Sequence, residues 1–397
     1  MRILVVNAGS TSLKCELFEF PQERSVVSGS VSRIGQSDAL LRVDRHGSAR
    51  LETSQSVADH EAALEALVAA MGLDRSKPNI VGHRVAHGGE TLVHPTLLDA
   101  AAEQAIADCA RFAPLHNPAN LAGVRACRSL FPGLAQVAVM DTAFHRTLRP
   151  QAFLYAIPYE LYEQHGIRRY GFHGTSHRYV AGEAARVLGT PLEQLRIVSC
   201  HLGGGASVCA IADGASQATS MGMTPLEGLV MGTRCGDVDP GVVLHLQDRL
   251  GMTREQVETM LNRESGLKGI SGIGRDMREL VDAAAGGSER AQLAIDMFCR
   301  QLRHYIGGYT AELGGLDVLV FTGGIGENAS SIRELTLQGL DVVGLHLDRA
   351  RNEAVGEQAA IISRPGSTPA ILVVPTDEEL QIAREIVADQ SLVALAN

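Results

Sequence analysis

One supersecondary pattern occurs twice in this chain, almost two hundred residues apart, and it constrains the fold more than any other feature. The first copy is a β-favouring run, Arg2-Ile3-Leu4-Val5-Val6, that breaks into Asn7-Ala8-Gly9-Ser10-Thr11-Ser12 and resumes at Leu13-Lys14. The second runs through Ile197-Val198-Ser199-Cys200-His201-Leu202, turns at Gly203-Gly204-Gly205 and resumes at Ala206-Ser207-Val208-Cys209-Ala210. Glycine permits the tight reversal, and the polar side chains beside it are donors with one cation at Lys14, so the pattern suits a phosphate-handling turn between two strands. Two copies suggest two related α/β domains facing each other across a cleft, each giving a turn to one nucleotide. Polar hairpins that resemble one another by chance are the competing reading. A third segment favours the first reading: the apolar run 318–322 enters a Gly-rich turn, Gly323-Gly324-Ile325-Gly326-Glu327-Asn328, where backbone can approach a nucleotide closely. No Walker-type G-x-x-x-x-G-K-[ST] sequence is present.

At 397 residues the chain is too long for one core and suits two domains, one interrupted by the other. Strand-like runs at 2–6, 13–20, 80–81, 136–140, 196–201, 206–212, 318–322 and 370–374 alternate with helical stripes at Leu64, Leu67, Val68 and Met71, through 291–313, and at Leu380, Ala383 and Val387. Aromatic residues are only 4% with no Trp, and the net charge is −10, which argues against a nucleic-acid surface. Seven Cys contain no C-x-x-C pair and sit in apolar segments, as reduced buried thiols would. The chain begins on a strand without a basic leader, and its apolar stretches are interrupted, so the expectation is a soluble cytoplasmic protein without a membrane partner.

Six motifs, two of them already described, together resemble the acetate kinase family: Asn7-Ala8-Gly9-Ser10, His83-Arg84-Val85-Ala86-His87-Gly88-Gly89, Asp141-Thr142-Ala143-Phe144-His145, Tyr170-Gly171-Phe172-His173-Gly174-Thr175-Ser176-His177, Gly232-Thr233-Arg234 and Gly324-Ile325-Gly326-Glu327-Asn328. The resemblance runs from residue 1 to about 388 and implies two similar actin-like (ribonuclease H-like) domains, with mixed sheets flanked by helices and a nucleotide in the interdomain cleft. It puts one domain at 1–145 plus 379–397 and the other at 146–378, in a homodimer. The implied reaction is reversible phosphoryl transfer from ATP to acetate. Rivals are a propionate kinase of the same family and a heat-shock-like ATPase switch, which would hydrolyse ATP with no carboxylate present.

The resemblance also assigns roles. Arg84, Asp141, His173 and Arg234 would be catalytic: Arg84 and Arg234 on the carboxylate and the phosphoryl group, His173 donating to a phosphoryl oxygen, Asp141 holding an Arg or the metal shell. A helix N-cap is the other reading of Asp141. Asp237 or Asp239 could orient Arg234. The acceptor would rest on Arg84, Ala86, Leu115, His116, Phe172 and Pro225; Ala86 stands where Val is usual, which widens the acyl pocket and brings in propionate. ADP or ATP would contact Asn7, Ser10, Ser12, Lys14, His201, Leu202, Gly203, Gly204, Gly205, Asp276, Met277, Arg278 and Gly324 to Asn328. Mg²⁺, with Mn²⁺ as an alternative, would meet Asn7 and Glu378. Gly204 departs from the family's H-L-G-N-G, so a side-chain donor to phosphate is missing. Because acetate is already ionised at neutral pH, no general base is needed. The H-x-x-x-H pairs His83/His87 and His173/His177 lack the Glu of a zinc helix and are not read as zinc ligands.

Overall fold

Both glycine-bearing segments form antiparallel hairpins, and each hairpin opens a mixed sheet. The computed structural model describes residues 1–45, 48–73, 77–114 and 116–395. In chain order the elements used below are β1 (Arg2–Ala8), β2 (Ser12–Glu19), β3 (Arg24–Ser32), β4 (Ala39–Arg45), β5 (Leu51–Gln55), α1 (His60–Met71), β6 (Ile80–Val85), β7 (Thr96–Leu97), α2 (Asn117–Leu130) and β8 (Ala135–Met140). They continue with α3 (Gly174–Leu188), β9 (Ile197–Leu202), β10 (Ala206–Ala212), β11 (Ala215–Thr219), α4 (Glu289–Glu312), β12 (Val318–Thr322), α5 (Gly323–Asn328), β13 (Ala360–Ile361), β14 (Ala370–Val373) and α6 (Glu378–Ala388). The chain divides into unit 1, Met1–Phe144 with Asp377–Asn397, and unit 2, His145–Thr376.

Among the described residues the sheet of unit 1 runs β5-β4-β3-β2-β1-β6-β8-β7 and that of unit 2 runs β11-β10-β9-β12-β14-β13. In unit 1, β1, β6 and β8 are parallel and the β1–β2–β3 meander is antiparallel. Unit 2 repeats this with β9, β12 and β14 parallel and β9–β10–β11 antiparallel. The duplicated core β3-β2-β1-β6-β8 and β11-β10-β9-β12-β14 is the mixed α/β class expected from the sequence. Central strands such as β1 and β12 read as continuous apolar runs because helices cover both faces.

Local chemistry sets the helices. Asp59 caps α1 by accepting from the Ala62 N–H at 2.9 Å, Gly72 closes it in the left-handed region, and Leu64, Leu67, Val68 and Met71 are buried as their spacing predicts. Helix α6 lies against β1 and β6 through Leu380, Ile382, Ala383 and Ile386; its buried stripe passes through Ile386, whereas Val387 is half-buried. Gly82 on β6 makes that approach possible, because a Cβ there would lie 2.6 Å from Ile386 Cδ1. Helix α3 packs on β9 and β12 in the corresponding way. Asn7, Arg84 and Asp141 therefore stand at the carboxyl ends of parallel strands, the edge where α/β sheets bind ligands. No helix among the described residues is long and apolar enough to cross a membrane.

Candidate active site

In unit 1 a guanidinium is held inside a carboxylate shell. Arg84 donates through Nε to Asp141 Oδ1 at 3.0 Å and through Nη2 to Oδ2 at 2.7 Å, and its Nη1 lies 3.4 Å from Asn7 Oδ1. Glu378 Oε2 is 3.3 Å from Arg84 Nε, and Asn7 Nδ2 donates to Glu379 Oε1 at 3.2 Å. Asp141 is placed by its own N–H, which bonds to Val85 O at 2.8 Å and extends the β6–β8 ladder. Burial disfavours the Arg84 charge, but Asp141 and then Glu378 override it, and its pKa is raised. The Glu378 carboxyl is pushed up to about 7, by burial first, with Asp141 and Glu379 adding to it against the pull of Arg84. Asp141, Glu378 and Glu379 outnumber Arg84, and this excess of negative charge suits a hard divalent cation, which keeps most of its waters and takes one or two carboxylates. Among the described residues no group of three or more His, Cys, Asp or Glu could enclose a metal on its own. Ser10, Ser12 and Lys14 are exposed on the hairpin, whose turn closes through Gly9 N–H to Ser12 O at 2.8 Å.

In unit 2 the chemistry is carried by imidazoles and hydroxyls. His173 precedes α3 with φ 55° and ψ 22°, a left-handed conformation that non-glycine residues adopt at a cost of roughly 1–3 kcal/mol. Its Nδ1 is 2.9 Å from Ser207 Oγ, which is 2.8 Å from His177 Nε2, and His177 Nδ1 is 2.7 Å from Ser199 Oγ. His201 stacks on His173 with ring centroids 4.3 Å apart, and its Nδ1 is 2.8 Å from Ser176 Oγ, itself 2.8 Å from Thr376 Oγ1. Burial, reinforced by His145 and His201, holds the His177 pKa well below the usual histidine value, so this inner ring is neutral. Arg234 donates to Pro225 O at 2.9 Å, and among the described residues no carboxylate lies within ion-pair distance of it. Burial alone lowers its pKa. Neither aspartate expected to orient it does so. Asp237 accepts from Gly228 N–H at 2.9 Å and Tyr305 Oη at 2.7 Å, and Asp239 caps the helix Pro240–Leu250. A Cβ built on Gly205 would lie 3.5 Å from Arg234 Nη1 and 3.5 Å from His173 Nε2, so the two donors converge on a gap that glycine keeps open.

Beside that gap lies a cavity of about 820 Å³, within the range of nucleotide-sized pockets, whose wall includes Gly203, Gly204, Thr233, Arg234, Asp276 to Arg278 and Gly324, Ile325 and Asn328. One sequence reading changes here. The segment after β12 is a short helix, α5, and not a turn: Gly323 sits at φ 75°, where a Cβ would meet Leu202 O at 2.7 Å, and Glu327 Oε1 accepts from Gly323 N–H at 2.8 Å and Thr376 N–H at 3.1 Å. Glu327 is thereby a brace of α5. Asp276 caps the helix Met277–Ala285 and pairs with Arg278 at 2.9 Å, so these two residues spend charge on each other. His201, Leu202, Gly205, Gly326 and Glu327 are not among the residues lining the cavity.

Of the acceptor residues, Ala86 and His116 fall in unit 1, Phe172 and Pro225 in unit 2, and Leu115 lies outside the described residues. Ala86 is buried with its N–H bonded to Asn120 Oδ1 at 3.0 Å. Sequence reasoning missed Ser207, Ser176, Thr376, Arg275 and Arg333. Arg333 is fully buried and braces α5 from its C-terminal end, donating to Gly326 O at 2.8 Å and Glu327 O at 2.9 Å.

A duplicated mixed-sheet core that walls a nucleotide-sized cavity and brings Arg and His donors to its rim is the framework of a phosphotransferase, since phosphoryl transfer asks for positioning and charge neutralisation more than for covalent help. The acetokinase family profile matches residues 2–384. Acetate kinase from Leifsonia xyli subsp. xyli is 50% identical over 388 residues, 96% of this chain and 97% of that protein. The crystal structure of Porphyromonas gingivalis acetate kinase superposes with a TM-score of 0.89 at 40% identity, covering 98% of this chain and 99% of that one. A propionate kinase from Francisella tularensis superposes with a TM-score of 0.90, also at 40% identity, covering 97% and 98%. The chain belongs to the acetokinase family.

Proposed function

We propose that this protein is a carboxylate kinase that moves the terminal phosphoryl group of ATP reversibly onto acetate, giving acetyl phosphate and ADP by direct in-line transfer. The observation that carries the reading is Arg234, a cation that has no counter-ion among the described residues and converges with His173 on one gap beside the nucleotide-sized cavity. An arginine kept that way is ready for an anion that arrives and leaves, and its charge favours the phosphoryl oxygens in flight. His173 donates to the same oxygens. In unit 1, Arg84 uses three of its five N–H donors on Asp141 and Asn7, leaving two for the acceptor carboxylate. That acceptor arrives ionised, so no residue needs to take a proton. A divalent cation travelling with the nucleotide, Mg²⁺ or alternatively Mn²⁺, would be held by Asn7 and Glu378 with Glu379 beside them, and would neutralise phosphate charge.

Propionate is the second acceptor reading, carried by Ala86, whose methyl side chain leaves space where the family's valine would fill it. The test is ADP formation from MgATP with no acceptor, acetate, propionate or butyrate, compared as kcat/KM. Acetate-dependent turnover well above the blank supports the kinase, and an equal or higher propionate value moves the preferred acceptor. Turnover indifferent to every carboxylate refutes the reading in favour of a nucleotide-driven switch. The helix Pro240–Leu250 buries none of its residues although Val242, Leu244 and Leu250 are 42%, 60% and 65% exposed, and a second copy of the chain is the partner that would cover it, as a homodimer. Sedimentation equilibrium giving a monomer mass would reject that. Seven thiols, none in a disulfide, fit a reducing cytoplasm, which cell fractionation tests.

A further inference from the structure

One cation on the cavity wall has no assigned task. Arg275 lines the cavity, is exposed to it, and among the described residues makes no hydrogen bond or ion pair, whereas Arg278, three residues on, is bound to Asp276. Its backbone lies directly behind the glycine wall. A Cβ on Gly232 would stand 3.3 Å from Arg275 Cβ and 3.4 Å from Gly204 O, and Gly232 N–H donates to Gly204 O at 3.2 Å. Arg275, Gly232 and Gly204 therefore form one continuous surface. Gly204 is the position that offers phosphate no side-chain donor, and Arg275, whose Cβ lies across Gly232 from it, carries five on a long side chain. The other charged groups on this wall are Arg234, Asp276, Arg278 and Asp282; Asp276 pairs with Arg278 and feels the Arg275 charge more weakly, which leaves Arg275 and Arg234 as the wall's cations outside any ion pair among the described residues, beside the carboxylate of Asp282.

We infer that Arg275 binds the polyphosphate of the nucleotide and supplies from the side the charged contact that Gly204 lacks. The inference rests on the kinase reading and deepens it: Arg234 serves the phosphoryl group in transfer, and Arg275 anchors the phosphates that stay with the nucleoside. An anchoring contact of this kind holds substrate and product alike, so it acts on nucleotide affinity more than on the chemical step.

Titration calorimetry of the full chain with MgATP, MgADP, AMP and adenosine tests it, on the parent protein, Arg275→Ala and Arg275→Lys. A charge-assisted contact predicts about a tenfold or greater loss of MgADP affinity in Arg275→Ala, substantial recovery in Arg275→Lys, and unchanged adenosine binding. The steady-state signature is a raised KM for ATP with kcat little altered. In a Gly204→Asn background the loss from Arg275→Ala shrinks, because either side chain then anchors the same phosphates. Unchanged MgADP affinity in Arg275→Ala overturns the inference while leaving the kinase reading intact, and so does an equal loss for adenosine, which would place Arg275 against the nucleoside. A parent protein that binds no nucleotide refutes the kinase reading itself. Arg275 is exposed, so the substitution does not disturb a core.

Discussion

Gly204→Asn tests the nucleotide half of the site most directly. Gly204 lines the cavity, its backbone is outside the left-handed region that would penalise a side chain, and a Cβ there would meet nothing within 4 Å. The asparagine amide would thus enter open space on the phosphate side. A hydrogen bond to a charged phosphate contributes about 1.5–3 kcal/mol, and fixing the new side chain costs about 0.5–1.5 kcal/mol. The net gain is about 0–2.5 kcal/mol with a midpoint of about 1.2 kcal/mol, or roughly eightfold tighter MgADP. Replacing glycine also stiffens the unfolded chain, which adds about 0.4–1 kcal/mol of stability with or without ligand. Gly204→Ala separates the effects, since it shares the stiffening and lacks the amide. The assay is calorimetric titration of MgADP into the three proteins, with thermal denaturation of each without ligand. A folded Gly204→Asn protein that binds MgADP no tighter than the parent would refute the placement of Gly204 against the phosphates.

Three further outcomes follow from the geometry. Ala86→Val should lower kcat/KM for propionate more than for acetate, by about tenfold or more for the one methylene at stake, and equal losses would remove the pocket argument. Ser207→Ala strips the hydroxyl from both His173 and His177; it should lower kcat with little change in KM for ATP and cost about 1–3 kcal/mol of stability, with Ser207→Thr restoring most of both, and an unchanged kcat would show the His173 orientation to be independent of Ser207. Burial raises the Glu16 pKa from 4.5 to about 7, against the hydrogen bond from Ser25 and with Asp377 and Glu379 adding to it. The folded state then holds a proton that the unfolded state loses, so stability falls as pH rises from about 4.5 to 7, by at most about 3 kcal/mol. Glu16→Gln should raise the denaturation midpoint at pH 8 and leave it nearly unchanged at pH 4.5; equal shifts at both would contradict the assignment.

How much was legible in the sequence depended on which forces each segment obeys. The central strands and the α1 stripe were visible because burial on fixed faces imposes a period or a continuous apolar run. The outer strands were not: β3 reads Arg-Ser-Val-Val-Ser-Gly-Ser-Val-Ser and β5 is wholly exposed, so neither carries that signal, and each is recruited by the strand beside it. The glycines of Gly323–Asn328 predict a turn, yet Glu327 and Arg333 tie both ends of a helix there, a tertiary effect that composition does not encode. Proximity in sequence offers Asp237 or Asp239 to Arg234, and Tyr305 and a helix cap claim them instead. Ser207 gave no warning because a hydroxyl in an apolar run looks like any small residue until an imidazole faces it, and Ser176 and Thr376 gave none because only the fold brings two residues 200 positions apart together. The motifs themselves were legible, since spaced sets of Gly, His, Arg and Asn have few structural reasons to recur.

The duplication also shows what distinguishes the two copies. In unit 1 the carboxyl ends of the parallel strands and the start of α6 carry Asn7, Arg84, Asp141 and Glu378, a charged set with acid in excess. In unit 2 the corresponding strand ends and the start of α3 carry His201, Thr322, Thr376, Ser176 and His173; hydroxyls link His201, Ser176 and Thr376, while the nearby Glu327 braces α5 and accepts from Thr322 Oγ1 at 3.3 Å. One topology thus offers two chemically different platforms, one of charged groups and one of imidazoles and hydroxyls. The second suits a polyanion that must bind and also depart, because hydroxyl donors gain on binding and leave no uncompensated charge on release. On the charged platform Arg84 already faces Asp141 and Glu378, so it would hold a third carboxylate, that of a small acceptor, less strongly than an arginine without those partners. Reversible transfer needs both properties, and each follows from which side chains the same strand ends present.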